Sequence, residues 1–344
     1  MIRVGVIGCG KIAEKHLNAY RKLDGVEVTV TDIVAKGRTI AENYGARWHP
    51  DPAEIIARQT VDAVDVCTPT PTHAGFIIDA LAAGKHVFCE KPLARNLAEA
   101  LEIRDAARRA GTIVMTGYLY RFHPAYRFAR DVLLEGIIGD PYFAIFRLGG
   151  RGSHKAWKHK HSTGGGAGNE MLVHVVDLAL WYFGEPRRVS NLYTDTILPR
   201  RDIEGVNVQA DAEDVVLLKL EMESGAQVLC QSDLITPSYM NHIEVEGTNG
   251  SLFASILDYL PTTVYCKEAR GVFDRGHNFQ DFPRVDLFEH ELSDFLECIR
   301  DGNGCRINSV EDSLRLMTVI ESALEGDHGA TPVVRLSPPP VESL

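Results

Sequence analysis

Ile2-Arg3-Val4-Gly5-Val6-Ile7-Gly8-Cys9-Gly10-Lys11-Ile12-Ala13 decides the fold of this 344-residue chain. An apolar strand runs into glycines, and a helical pattern through Glu14, His16, Leu17 and Tyr20 follows. Only glycine permits the tight turn at position 8 and the close approach of backbone to a pyrophosphate at position 10, while a small third residue, Ala13, lets helix and strand pack. The helix then aims unpaired N–H groups and the positive end of its dipole at the phosphates. The turn assigns Gly8, Gly10, Lys11 and Ile12 to cofactor binding. A strand-to-helix turn without a ligand uses the same residues, so Asp32 supplies the second signal. It ends the strand Val26-Glu27-Val28-Thr29-Val30-Thr31, about 20 residues beyond the glycines, where a dinucleotide fold places the acid that holds the adenosine ribose. A carboxylate there accepts from ribose hydroxyls and repels a 2′-phosphate, which favours NAD over NADP. Arg38 and Lys36 act against that preference, since either reaches a phosphate; the alternative for Asp32 is a helix cap.

Composition fits a soluble enzyme. The chain is 45% hydrophobic, enough for a sizeable core, and its length suggests two domains. No apolar run reaches the ~18 residues of a membrane span, and Met1-Ile2-Arg3 starts directly on a strand without a signal peptide, so a cytoplasmic location is expected. Seven scattered cysteines with no Cys-x-x-Cys pair read as reduced thiols, neither a disulfide frame nor a zinc site. A net charge of −11 opposes nucleic acid and anionic membranes as partners.

Strands and helices alternate through the first half: a helix near 36–44, a strand ending at Trp48, a helix near 52–58, the strand 63–67, a helix 74–83, strand 85–89, a helix 96–110 and strand 112–117. Such alternation means a parallel, doubly wound sheet. Ligands lie outside the carboxyl ends of its strands, where this chain places Thr68-Pro69-Thr70-Pro71-Thr72-His73, Glu90-Lys91-Pro92 and Tyr118-Leu119-Tyr120-Arg121-Phe122-His123-Pro124. Lys91 follows a buried-looking strand and is restricted by Pro92, which makes it the first catalytic candidate. A second constellation follows Thr163-Gly164-Gly165-Gly166-Ala167-Gly168: a helix on which Glu170 and His174, four apart, share a face. His174 is either a base or a core histidine satisfied by Asp177, which is taken as structural.

The order of these motifs, with Gly164-Gly165-Gly166 through His174, resembles the Gfo/Idh/MocA oxidoreductases. The resemblance implies an N-terminal Rossmann domain, a C-terminal α/β domain on a large, mostly antiparallel sheet, and an active site between them. It also implies that Lys91 lies beside the nicotinamide and the reacting hydroxyl, stabilising developing negative charge, and that an acid and a histidine orient the substrate and remove its proton, at a pKa near neutrality. Glu170 stands where family members usually carry aspartate. Thr68, Thr70, His73 and Glu90 are expected beside the cofactor, with a helix cap as the alternative for His73. Tyr120, Arg121, His123 and Tyr126 are cleft candidates, with a domain hinge as the alternative for the Arg121 segment. In the segment 151–161, three lysines among the histidines oppose a metal. By resemblance it lines the substrate cleft, with Lys155, Trp157 and His159 facing a sugar, Trp157 by stacking, or else it is a solvated loop.

Segments near 141–148, 188–198, 214–222, 225–234, 241–246 and 251–255 alternate as antiparallel strands, while a helix 170–183 covers one face of the sheet. Helices 285–301 and 309–324 close the fold, and Ser337-Pro338-Pro339-Pro340 opens a loose tail. The expected division is 1–122, 123–336 and a tail 337–344. By resemblance the other sheet face pairs copies into a homodimer or homotetramer. The functional expectation is NAD-dependent oxidation of a ring hydroxyl of a sugar, inositol or amino-cyclitol, or the reverse, with no metal. Two alternatives are an enzyme that keeps its NAD and re-reduces its substrate (glycosidase, epimerase or transhydrogenating oxidoreductase) and a non-catalytic dinucleotide sensor.

Overall fold

The computed structural model describes all residues except 35, 151–154, 204, 303, 306, 326–329 and 334–344. The expected tail and the first four residues of the lysine–histidine segment therefore lie outside the described residues.

Strand β1 (Ile2–Ile7) pairs in parallel with β2 (Val26–Thr31), and β3 (Arg47–His49) lies beyond it; on the other side follow β4 (Ala63–Val66), β5 (His86–Cys89) and β6 (Val114–Thr116). The order is 3-2-1-4-5-6, and its reversal between β1 and β4 opens the crevice in which such sheets bind ligands. The intervening helices are α1 (Lys11–Tyr20), α2 (Lys36–Asn43), α3 (Pro52–Ala57), α4 (His73–Ala82) and α5 (Leu97–Ala110). Local chemistry sets their ends. Asn96 accepts from the Glu99 N–H at 2.9 Å to start α5, and Gly111, at φ +63°, stops it, a cap at one end and a left-handed glycine at the other.

The chain then forms α6 (Pro124–Leu134), β7 (Pro141–Gly149), α7 (Val173–Phe183), β8 (Pro186–Asp195) and a small hairpin of β9 (Arg200–Ile203) and β10 (Val206–Gln209). Strands β11 (Val215–Met222), β12 (Gln227–Asp233), β13 (Met240–Gly247), β14 (Gly250–Ser255), β15 (Thr262–Cys266) and β16 (Gly276–Gln280) follow. With β17 (Ala330–Pro332) they complete a nine-stranded sheet in the order 16-15-14-13-7-12-11-8-17. All its pairings are antiparallel except β12 with β7. One face is buried: Phe146, Leu218, Val228 and Val245 pack in one core with Val176 and Leu180 of α7.

The two closing helices, α8 (Leu287–Asp301) and α9 (Val310–Glu325), return to the first sheet. Leu292, Phe295 and Leu296 of α8 share a core with Val4, Leu17 and Phe88, and Val310, Leu314 and Met317 of α9 pack with Val64 and Ile103. A split after residue 122 thus separates the sheets but not the cores, because α8 comes late in sequence and packs early in space. The sequence pattern does not announce α6, the β9–β10 hairpin, β15, β16 or β17. Helix α6 carries its signal in plain view: His123 caps it, accepting from the Ala125 N–H at 3.3 Å, and Pro124 occupies its first turn.

Candidate active site

Gly8 has φ +98°, and a Cβ there would lie 2.9 Å from the Cys67 carbonyl oxygen, so the turn demands glycine. At Gly10 an added Cβ meets nothing within 4 Å; the space is open where a pyrophosphate would lie against the start of α1. Asp32 closes the turn, its Oδ2 accepting from the Cys9 N–H at 2.7 Å and its Oδ1 from the Val34 N–H at 2.8 Å. The carboxylate stands beside the glycine turn at the end of β2, which fits an acid facing an adenosine ribose. Arg38 is exposed on α2. These residues fit a dinucleotide, whose phosphates and ribose Gly8, Gly10, Lys11, Ile12 and Asp32 would hold.

His73 departs from expectation. It is 1% exposed, and its two ring nitrogens face backbone carbonyls, Pro92 at 2.9 Å and Thr68 at 2.8 Å. It ties the loop after β4 to the Glu90-Lys91-Pro92 loop rather than presenting a nitrogen to a ligand. Thr72 Oγ1 in turn donates to Thr68 Oγ1 at 2.7 Å, while Thr70 opens the short turn before α4.

Lys91 reaches out of the first sheet, its Nζ donating to the Glu170 carbonyl oxygen at 3.1 Å. Glu170 lies in a π-helical turn, Gly168–Leu172, that runs into α7; such widened turns recur at functional sites. The Glu170 carboxylate pairs with Lys158. Burial opposes its ionisation, but the charges of Lys91 and Lys158 hold its carboxyl below the ordinary range. The glycine loop makes that pairing possible: a Cβ on Gly165 would lie 2.4 Å from the Lys158 carbonyl, and one on Gly166, at φ +110°, 2.4 Å from Glu213 Oε1. Glu213 fastens the loop, accepting from the Gly168 N–H at 2.8 Å.

His174 sits on the first turn of α7, its ring 4.9 Å from that of Tyr120. Its Nδ1 is buried and without a hydrogen-bond partner. Asp177 does not satisfy it. That carboxylate instead takes the Arg121 guanidinium, Nε at 2.9 Å and Nη2 at 2.6 Å, with both side chains at most 3% exposed and Asp312 3.4 Å away on the other side. Burial, then the positive charges of Lys91 and Lys158, push the His174 pKa well below its ordinary 6.5, so the imidazole is neutral at pH 7 and its ionisation lies below the neutral range expected from sequence.

Three expected substrate ligands, Arg121, His123 and His159, are engaged elsewhere. Arg121 is committed to Asp177 and is a structural ion pair rather than a cleft residue. His123 caps α6, with burial pushing its pKa down to about 4 against the opposing charge of Asp258. His159 is 2% exposed and 2.9 Å from Arg201 Nη1. Trp157 is 45% exposed, with the Lys158 ammonium 5.4 Å from its ring centre. Tyr120 remains beside His174, its hydroxyl 2.7 Å from that of Tyr239; Asn241 Nδ2 donates to Tyr239 at 3.3 Å, and Tyr126 donates to Asn241. Lys158, Glu213, Tyr239 and Asn241 are the residues that sequence reasoning missed. The last two come from the turn into β13 and from β13 itself, and only the signature of a strand marks them. Among the described residues one group, His16, Asp65 and Cys67, brings three potential metal-ligand atoms within 4.8 Å of one another; all three are buried in the first sheet and its helix α1.

A doubly wound sheet with a glycine turn, an acid at the end of its second strand and a lysine whose Nζ reaches the Glu170 carbonyl, four residues before His174, fits an oxidoreductase of the dinucleotide class. The model of the oxidoreductase family with an NAD-binding Rossmann fold, GFO_IDH_MocA, matches residues 2–118, and that of the GFO/IDH/MocA C-terminal domain matches residues 126–253. The chain belongs to this family. It is 29% identical over 324 residues to myo-inositol 2-dehydrogenase of Thermotoga maritima, covering 92% of this chain and 93% of that one. It is 30% identical over 327 residues to scyllo-inositol 2-dehydrogenase (NAD(+)) of Bacillus subtilis, covering 92% and 91%. An NAD binding oxidoreductase from Klebsiella pneumoniae shares the fold, with a TM-score of 0.88 at 24% identity over 97% of this chain and 99% of that one. The chain is a dehydrogenase acting on CH–OH groups. Among the described residues no helix is long and apolar enough to cross a membrane.

Proposed function

We propose that the reaction is oxidation of a ring hydroxyl of an inositol, sugar or amino-cyclitol, with NAD preferred over NADP. The observation that carries it is His174, whose Nδ1 has no hydrogen-bond partner and whose ring is kept neutral first by burial and then by the charges of Lys91 and Lys158. A neutral imidazole keeps one ring nitrogen as an acceptor and is a base awaiting a proton, and an alcohol in reach of Lys91 supplies one. His174 removes the hydroxyl proton, while the Lys91 ammonium holds the oxygen and stabilises the alkoxide character that develops on it. Glu170, fixed by Lys158, accepts from a neighbouring hydroxyl and orients the ring, with Tyr120 along its edge. NAD, when bound, supplies the acceptor for the carbinol hydride. Gly8, Gly10, Lys11 and Ile12 present backbone to its pyrophosphate, and Asp32 opposes a 2′-phosphate. Both inositol dehydrogenase relatives support a cyclitol as the first substrate class to try.

The half-covered face of the nine-stranded sheet, with Ile145, Leu217, Leu229 and Phe253 alternating against the buried set, is the surface we assign to a second copy of the chain. All seven cysteines are free, which supports a reducing, cytoplasmic setting.

The test is a screen of cyclitols, aldoses and aminosugars for NADH formation, followed by Lys91→Ala on the best substrate. Turnover should fall by about two or more orders of magnitude, roughly 3 kcal/mol of transition-state stabilisation, with NAD affinity nearly intact. A variant keeping more than about a tenth of normal kcat removes Lys91 from the chemistry. Cofactor that stays bound through purification, with no net NADH released, would replace simple dehydrogenation by an oxidise-and-re-reduce cycle.

A further inference from the structure

The face of α1 that carries Ala13, Leu17 and Tyr20 into the core also carries His16, which has no exposed surface. Its Nδ1 is 2.8 Å from Asp65 Oδ2 on β4, and its Nε2 is 3.1 Å from Glu90 Oε1 after β5. The rings of Phe88 and Phe288, each 5.5 Å away, wall it from water. Burial alone would discharge the ring, but the Asp65 carboxylate and the Cys67 sulfur raise its pKa well above 6.5, so it is an imidazolium donating to two carboxylates. Cys67 donates to Asp65 Oδ1 at 3.4 Å. The remaining groups near this pair are Tyr20 and, from α8, Glu291, whose pKa burial and the Glu90 charge push up. The three potential metal ligands here already satisfy one another, and the cluster is explained as an ion pair without a cation.

A buried ion pair of this kind is weak evidence for stability, since apolar residues of the same volume often serve as well. Its connections say more. Glu90 is shared: Oε1 faces His16, while Oε2 accepts the backbone N–H of Lys91 at 3.1 Å. Lys91 continues through Nζ to the Glu170 carbonyl. Hydrogen bonds, joined through the Glu90 carboxylate and the Lys91 side chain, therefore link α1, whose first residue follows the glycine turn, to the lysine and to the helix start that carries His174.

We infer that His16 is a positioning residue, which through Glu90 fixes the Lys91 loop relative to the cofactor turn. It touches no reacting atom. The inference rests on the reading of Lys91 as the oxygen-holding cation, and a displacement of that ammonium by about 1 Å is enough to lower rate on the order of 10²-fold.

The experiment compares His16→Gln, Glu90→Gln and Lys91→Ala with the unaltered protein. It measures kcat and KM on the best screened substrate, NADH affinity by fluorescence, and the rate of trace acetylation of Lys91 in cofactor-free protein, read by mass spectrometry against Lys219. Both glutamine variants should lower kcat at least about tenfold with KM and NADH affinity little changed, and Lys91 should acetylate faster once its loop is loosened. Glu90→Gln keeps the His16–Asp65 pair and so tests the link even where His16→Gln folds poorly. Unchanged Lys91 acetylation in a folded glutamine variant overturns the inference, as does kcat within about twofold of normal while Lys91→Ala is inactive. An active Lys91→Ala instead overturns the functional reading, and the acetylation rates still decide whether His16 and Glu90 hold the loop.

Discussion

Replacing Arg121 with Met should destabilise the protein strongly, and more so at high pH. Methionine keeps the apolar stem but strands Asp177, which then loses contacts at 2.9 and 2.6 Å. Both partners are at most 3% exposed, so solvent cannot take over, and breaking such a pair costs about 3–5 kcal/mol. With an unfolding entropy of roughly 2.1 cal/mol/K per residue near 60 °C, a chain of this length should lose about 4–7 °C in Tm. The pH dependence follows from Asp177. Burial raises its pKa to about 6, Arg121 lowers it and Asp312 raises it, so removing Arg121 lifts it further. A group whose folded pKa is raised contributes stability at low pH that is lost as pH climbs through the folded value. Below that value the stranded carboxyl takes a proton and escapes the penalty, hence the loss at pH 6 should be smaller than at pH 8. Calorimetry at both pH values measures it, with kcat in parallel, because α7 carries both Asp177 and His174. A loss under about 1 kcal/mol at pH 8, the scale of an exposed pair, or equal losses at the two pH values, would refute the stranded-charge argument.

His174→Asn should abolish most activity together with the acid limb of the pH–rate profile. In the unaltered enzyme that limb should fall below pH 6.5, since burial and the two lysines depress the imidazole; a limb at or above 6.5 contradicts the assignment. Lys158→Gln removes one of those charges and should move the limb upward, and an unmoved limb would show that Lys158 does not sense the base. Asp32→Ser should narrow the ratio of kcat/KM with NAD to that with NADP by weakening the former and relieving repulsion of a 2′-phosphate; a ratio already at or below one in the unaltered enzyme defeats the assigned role.

The first sheet was legible because its rules are local. Glycines at 8 and 10, an acid at 32 and strands that end in polar loops each announce themselves within a few residues, and Gly8 at φ +98° with the Cys67 carbonyl behind it is the reason the pattern has to be there. The second sheet was legible in its core strands, where buried and half-buried residues alternate along β11 and β12. It failed at β15 and β16, short strands near the sheet edge whose neighbours lie in turns.

Site residues divide the same way. Glu170 and His174 share a helix, so their spacing was readable, but which partner each takes was not. Asp177, three residues from His174, looked like its natural partner, yet Arg121, 56 positions away, claims it and thereby leaves the histidine nitrogen free for chemistry. Lys158 stands 12 positions before Glu170, a separation that no helical period links. Only the folded glycine loop, which has no room for a Cβ at Gly165 against the Lys158 carbonyl, brings the ammonium onto that carboxylate. The three glycines were read as the opening of a helix; Gly165 lets the loop lie on the Lys158 backbone and Gly166 leaves room for the Glu213 carboxylate, and in the site so formed burial and then the charges of Lys91 and Lys158 keep His174 neutral.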